Sequence, residues 1–186
     1  LSRLFGRMAG ARLVVLPPVL GLAVWLAWLE PSSWRKIVIA VTATILLAFF
    51  VSEWVRWRRR GFTPGAVPRN LSVAIAGVAL IALSTGGLSS PFMWVSVPLG
   101  VVSGIFVPWP VNGILAAFQI AVAWVFAALG ATRAIPGLDV VACRGVAAPP
   151  SWLWTTAAVL TFVYVFAAAA GRAIRWSFDR MVQRTA

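Results

Sequence analysis

Six apolar runs divide this chain, at about Leu13–Leu29, Ile37–Val55, Leu71–Thr85, Pro91–Val107, Asn112–Leu129 and Ser151–Gly171. A bilayer core of about 30 Å is crossed by roughly 20 apolar residues in a helix. Each run approaches that length. Inside a bilayer there is no water to bond to, so a spanning backbone must satisfy its own polar groups, as a helix does. The runs therefore predict an all-α integral membrane protein, a six-transmembrane-helix bundle. A chain of 186 residues that is 61% hydrophobic carries more apolar surface than a soluble domain of that size can bury. The first run follows basic residues, as in a signal peptide. No small-residue cleavage site comes after it, so it reads as a span.

The breaks between runs carry the charge. Sixteen basic residues stand against 4 acids, a net charge of +12. In a soluble chain this would point to nucleic acid. Here the arginines crowd the ends of apolar runs, as in cytoplasmic loops, and no nucleic acid is implied. Arg3, Arg7 and Arg12 precede the first run, within an amphipathic lead-in over Leu1–Arg12. Arg56, Arg58, Arg59, Arg60 and Arg69 lie between the second and third runs; Arg172, Arg175, Arg180 and Arg184 follow the sixth. Only Arg35, Lys36, Arg133 and Arg144 fall on the other side. This asymmetry predicts both termini in the cytoplasm, with the protein in a bacterial inner membrane. Trp54, Trp57, Trp109 and Trp176 would mark the inner interface, and Trp25, Trp28, Trp34, Trp94, Trp152 and Trp154 the outer one. Only Trp124 falls deep in a span.

Several chemistries are excluded by residue type. The chain contains no histidine, so it holds no histidine-ligated haem or metal and no phosphorylated histidine of its own. No metal is expected. Its one cysteine, Cys143 in an outer loop, builds no disulfide framework and reads as incidental. Within the spans, Glu53 reads as a snorkelling partner of Arg56. Gln119 and Tyr164 read as hydrogen-bonding glue between helices. Pro98 should kink the fourth span. Gly100 and Gly104, four apart, predict close packing against an unspecified helix. No catalytic residues are apparent.

The turn between the third and fourth runs is Gly86-Gly87-Leu88-Ser89-Ser90-Pro91-Phe92. Glycine accepts the left-handed conformation that ends a helix. Serine followed by proline can open the next one. One helix should end near Gly86 and another begin at Pro91, with Phe92 beside free backbone N–H groups. The bland reading is a hairpin turn; the sharper one is a seat for a small polar head group. Beyond Gly171, Ile174, Phe178 and Met181 repeat at spacings of four and three, as in the start of a heptad seam. A basic helix lying on anionic head groups is the other reading of that segment.

Six spans, a Gly-Gly-x-x-x-Pro-Phe hinge and a helix leaving the last span resemble the membrane sensor domain of redox-responsive sensor histidine kinases of the RegB/PrrB type. The family's hinge is Gly-Gly-x-x-Asn-Pro-Phe. Gly86, Gly87, Pro91 and Phe92 match it, and Ser90 stands where the family has asparagine. The resemblance implies a quinone ligand, ubiquinone or menaquinone, bound by Gly86, Gly87, Ser90, Pro91, Phe92 and Trp94. It implies a sensor domain over 1–171 and the start of a signalling helix over 172–186. It also implies a homodimer in membrane lipid that acts through a cytoplasmic kinase domain and a response regulator. The kinase chemistry would lie in a longer protein, of which this chain, beginning at Leu1 and stopping within a helical pattern, would be the N-terminal part. An accessory membrane subunit of a larger complex and a transporter or channel subunit are the alternatives. The absence of a charge deep in a span counts against transport.

Overall fold

The computed structural model describes residues 21, 24–25, 27–30, 32–61, 63, 65–135, 138 and 148–185. Those residues are helical, with short connections and no strands. From Ser33 onward, five α-helices follow in order among the described residues: α1 Ser33–Arg60, α2 Ala66–Ser84, α3 Phe92–Phe106, α4 Trp109–Ala131 and α5 Pro150–Thr185. A single 3₁₀ turn, Gly87–Ser89, joins α2 to α3. α1, α2, α4 and α5 are each long and apolar enough to cross a membrane; α3, with 15 residues, is shorter. The first expected span, Leu13–Leu29, lies largely outside the described residues, as do Leu1–Arg12, Cys143 and Arg144.

The helices overrun the apolar runs that predicted them. α1 continues through Arg56 to Arg60 and stops at Gly61, whose φ of +75° favours glycine. α2 starts at Ala66 instead of Leu71, and α4 at Trp109 instead of Asn112. Arginine is a good helix former, so a helix does not end where its hydrophobicity does. α5 is the extreme case. Its 36 residues rise about 54 Å, well past a bilayer core. α3 remains one helix across Pro98.

Consecutive helices run antiparallel. Leu46 of α1 fills the space beside Gly77 of α2, where an added Cβ would meet its side chain at 2.7 Å. One apolar core, near the 3₁₀ turn, gathers Leu88, Met93, Phe126, Leu153, Leu160 and Tyr164. A second, at the opposite end, gathers Leu71, Ile75, Val107 and Leu115. α3 lies between α2 and α5 and touches both cores. Close approach of α3 to α5 depends on glycine. A Cβ at Gly104 would stand 2.7 Å from the Ala168 carbonyl, and one at Gly171 would collide with the Val101 carbonyl. Gly100 rests against Ala167 in the same seam. The small pair Gly100/Gly104 thus packs against α5, the partner that spacing alone left open.

Candidate functional site

The hinge is built from both sides of the glycine pair. α2 ends at Ser84 and Thr85 closes it, two residues before the expected stop. Gly86 (φ +127°) and Gly87 (φ +56°) both adopt the left-handed region. Ser89 and Ser90 N–H then donate back to Gly86 and Gly87 carbonyls at 3.0 and 3.2 Å. Pro91 leads into α3.

Ser90 is fully committed. The Thr85 hydroxyl donates to the Ile81 carbonyl at 2.7 Å. The 2.6 Å contact between the Thr85 and Ser90 hydroxyls therefore carries the Ser90 proton. In return, the Ser90 oxygen accepts the Phe92 N–H at 3.2 Å, as an N-terminal cap does. The next donors are taken as well: Met93 N–H bonds the Ser90 carbonyl and Trp94 N–H the Pro91 carbonyl, each at 3.2 Å. The expectation of free N–H groups beside Phe92 is corrected by these bonds. A proline–serine entry folds back into a tight turn and satisfies its own first donors.

Gly87 is also covered. The Leu138 carbonyl and side chain sit where a Gly87 Cβ would stand, at 3.2 and 3.3 Å. Gly86, Gly87 and Ser90 are buried, and Phe92 packs partly buried against the core at that end. Pro91 is exposed, and Trp94 is 49% exposed. The six hinge residues named from the sequence thus divide into a buried inner group and an outer pair, with Phe92 between. One hinge hydroxyl remains unused. The Ser89 oxygen is buried and has no hydrogen-bond partner among the described residues. A buried hydroxyl without a partner is costly, and such a group is a natural donor to a bound carbonyl. Ser89 was passed over in the sequence because Ser90 holds the motif position. Leu138 gave no local signal, since its contact spans some fifty residues of chain. Thr85 did give one: Ser84-Thr85 and Ser89-Ser90 flank the glycines as two polar pairs.

Below the hinge, polar side chains tie α3 to its neighbours. Tyr164 of α5 bonds the Ser96 hydroxyl at 2.7 Å and donates toward the Met93 carbonyl at 3.2 Å. Gln119 of α4 donates to the Ser96 carbonyl at 2.8 Å. Both residues act as the expected glue. Near the far end of α3, Ser103 donates to Asn112 Oδ1, and Arg175 donates to the Val107 carbonyl at 3.3 Å. Trp124, the one tryptophan deep in a span, donates to Thr161 at 3.0 Å and packs on Trp154. Glu53 pairs with Arg56 at 3.2 Å as predicted, and also with Arg69 at 2.7 Å across to α2. In the opposite loop, Glu30 and Arg35 form a buried ion pair at 3.3 Å.

The hinge therefore offers a donor, an aromatic edge and an outer wall. It is joined through α3 to a helix that runs past the bundle. No protein-family model matches this chain, and neither curated proteins nor solved structures give a match.

Proposed function

We propose that this chain is the membrane input domain of a sensor histidine kinase, with six spans and both termini in the bacterial cytoplasm. The observation that carries this reading is α5. It runs unbroken from the hinge end, through Tyr164 and the Gly104–Gly171 crossing, to a segment, exposed nearly all round, in which Ile174, Phe178 and Met181 share one face. A rigid helix of this kind turns a small slide or rotation at one end into an altered geometry at the other. That shared face is the dimer seam, continuing into a coiled coil that feeds a cytoplasmic kinase domain and, through it, a response regulator.

The input is a membrane quinone, ubiquinone or menaquinone. When bound, it supplies a redox state set by the quinone pool. Ser89 is the group left to bond a ring carbonyl, and the faces of Phe92 and Trp94 would hold the ring. Ser90, Gly86 and Gly87 fix the shape of the turn, with Ser90 already bonded to Thr85 and Phe92. A shift of the hinge then moves the first turn of α3, and α3 carries α5 with it.

The test is disulfide scanning from Arg172 to Gln183 in vesicles, with oxidised and reduced quinone. Crosslinking should peak at Ile174, Phe178 and Met181, and its pattern should change with quinone redox state. A flat profile would remove the seam. Peaks that ignore the quinone would leave an anchor that dimerises without sensing.

A further inference from the structure

The antiparallel order brings the C-terminal end of α1, the start of α2 and the part of α5 beyond Gly171 to one end of the bundle. Five of its arginines are of two kinds. Arg56 and Arg69 close on Glu53, while Arg175 reaches Asp179 and the Val107 carbonyl. Arg58 and Arg180 have no such carboxylate partner among the described residues. Each instead lies over a tryptophan one turn earlier on its own helix. The Arg58 Cζ is 4.2 Å from the Trp54 ring centroid, and the Arg180 Cζ is 3.4 Å from that of Trp176.

A guanidinium held over an indole is fixed by its face and keeps its N–H edge open. That edge matches the paired oxygens of a phosphate. Tryptophan, for its part, settles at the level of the head groups. Arg59 and Arg60 follow Arg58 on α1 and Arg172 precedes Trp176 on α5, so each pair has further positive charge on its own helix. A zwitterionic head group would bring its own ammonium into that field; an anionic one would not. We propose that Trp54–Arg58 and Trp176–Arg180 are two seats for the phosphate of an anionic phospholipid. They lie on separate flanks, since α1 packs against α2 alone among the described helices. On α5, Trp176 and Arg180 point about 200–240° around the helix from Ile174, away from the Ile174–Phe178–Met181 face. Lipid can therefore occupy one side of the helix while the seam occupies the other. The seats do not depend on what the hinge binds.

The chain, reconstituted with equal parts phosphatidylglycerol and phosphatidylcholine, is released into mild detergent, and the retained lipids are counted by native mass spectrometry. The wild type should keep phosphatidylglycerol in preference. Arg58→Gln and Arg180→Gln should each weaken that retention about fivefold, since each loses a forked, charge-assisted bond to the phosphate. Arg59→Gln with Arg60→Gln removes the same charge as the pair of seat variants and should cost about twofold at most. Arg58→Lys with Arg180→Lys keeps the charge but loses the fork, and should lose most of the preference. Equal losses in the two glutamine pairs would overturn the seats in favour of a diffuse field. Full retention by the lysine pair, or equal retention of both lipids by the wild type, would overturn them as well. All four arginines are exposed, and unchanged melting of each variant separates lost lipid from lost fold.

Discussion

Gly104 of α3 and Gly171 of α5 meet backbone to backbone, each occupying space that the other's side chain would need. Association of helices in lipid depends on such close packing, because apolar burial drives nothing where the solvent is itself apolar. The crossing also lies beside the Arg175 bond to the Val107 carbonyl, so two different interactions hold the same junction.

Gly171→Ala should therefore destabilise the bundle by about 1–3 kcal/mol, since the overlap is with backbone and cannot be relieved by a rotamer change. Gly113→Ala on α4 is the matched control. Nothing lies within 4 Å of its added Cβ, so it should be neutral or slightly stabilising. Thermal melts of both variants in one detergent would check this. Equal melting temperatures would mean that the two helices separate at little cost.

The hinge serines should respond in opposite ways. Ser90→Ala removes a cap and the partner of Thr85, and should cost about 1 kcal/mol. Ser89→Ala deletes an unpartnered buried hydroxyl and should leave the unliganded domain as stable as before or more so. Quinone at about a hundred times its dissociation constant should stabilise the wild type by about 2.7 kcal/mol. Ser89→Ala should lose most of that shift, while Ser90→Ala should keep it on a less stable background. The reverse pattern in ligand-dependent melts would return the ligand contact to Ser90.

Tyr164→Phe tests the tie between α3 and α5 halfway along the seam. The ring stays buried, but its bonds to Ser96 and the Met93 carbonyl disappear. Ser96 still donates to the Met93 carbonyl, so no donor is orphaned. The loss should be about 0.5–1.5 kcal/mol, at the modest scale of hydrogen bonds between membrane helices. Thermal melts would measure it. A larger loss would indicate that the hydroxyl holds more than these two partners.

What the sequence revealed and what it hid follow from the range of each interaction. Apolar runs, the glycine turn and the Glu53–Arg56 pair are local, and each was legible. Helix ends were misjudged because hydropathy marks the lipid-facing length, whereas α1 and α4 extend until a glycine or a proline intervenes. The Gly100/Gly104 pair announced a close contact, but only the fold shows that the partner is α5. Leu138 covering Gly87 could not have been read at all, since the residue belongs to a loop with no pattern of its own. In the hinge, the family motif drew attention to Ser90 for a ligand role. Its proton goes instead to Thr85, five residues earlier, a contact set by the φ values of the two glycines between them.

The orientation we predict for the bundle rests on the charges at its two ends. At the hinge end, Arg35 is buried against Glu30 and contributes no net charge, which among the described residues leaves Lys36 and Arg133. At the other end, among the described residues, Arg56, Arg58, Arg59, Arg60, Arg69, Arg172, Arg175 and Arg180 stand against Glu53 and Asp179. Ion pairing leaves the asymmetry in place: it cancels one of these three basic charges at the hinge end and two of these eight at the other. The basic end should face the cytoplasm. With Cys143 replaced by serine, a single cysteine at exposed Gly61 should label only from the cytoplasmic side of inverted vesicles, and one at exposed Pro91 only from the outside. Pro91 is preferred to Ser89 because Pro91 is exposed and Ser89 only partly so. Labelling of Pro91→Cys from the cytoplasmic side would invert the bundle and move the quinone seat to the wrong face for this proposal.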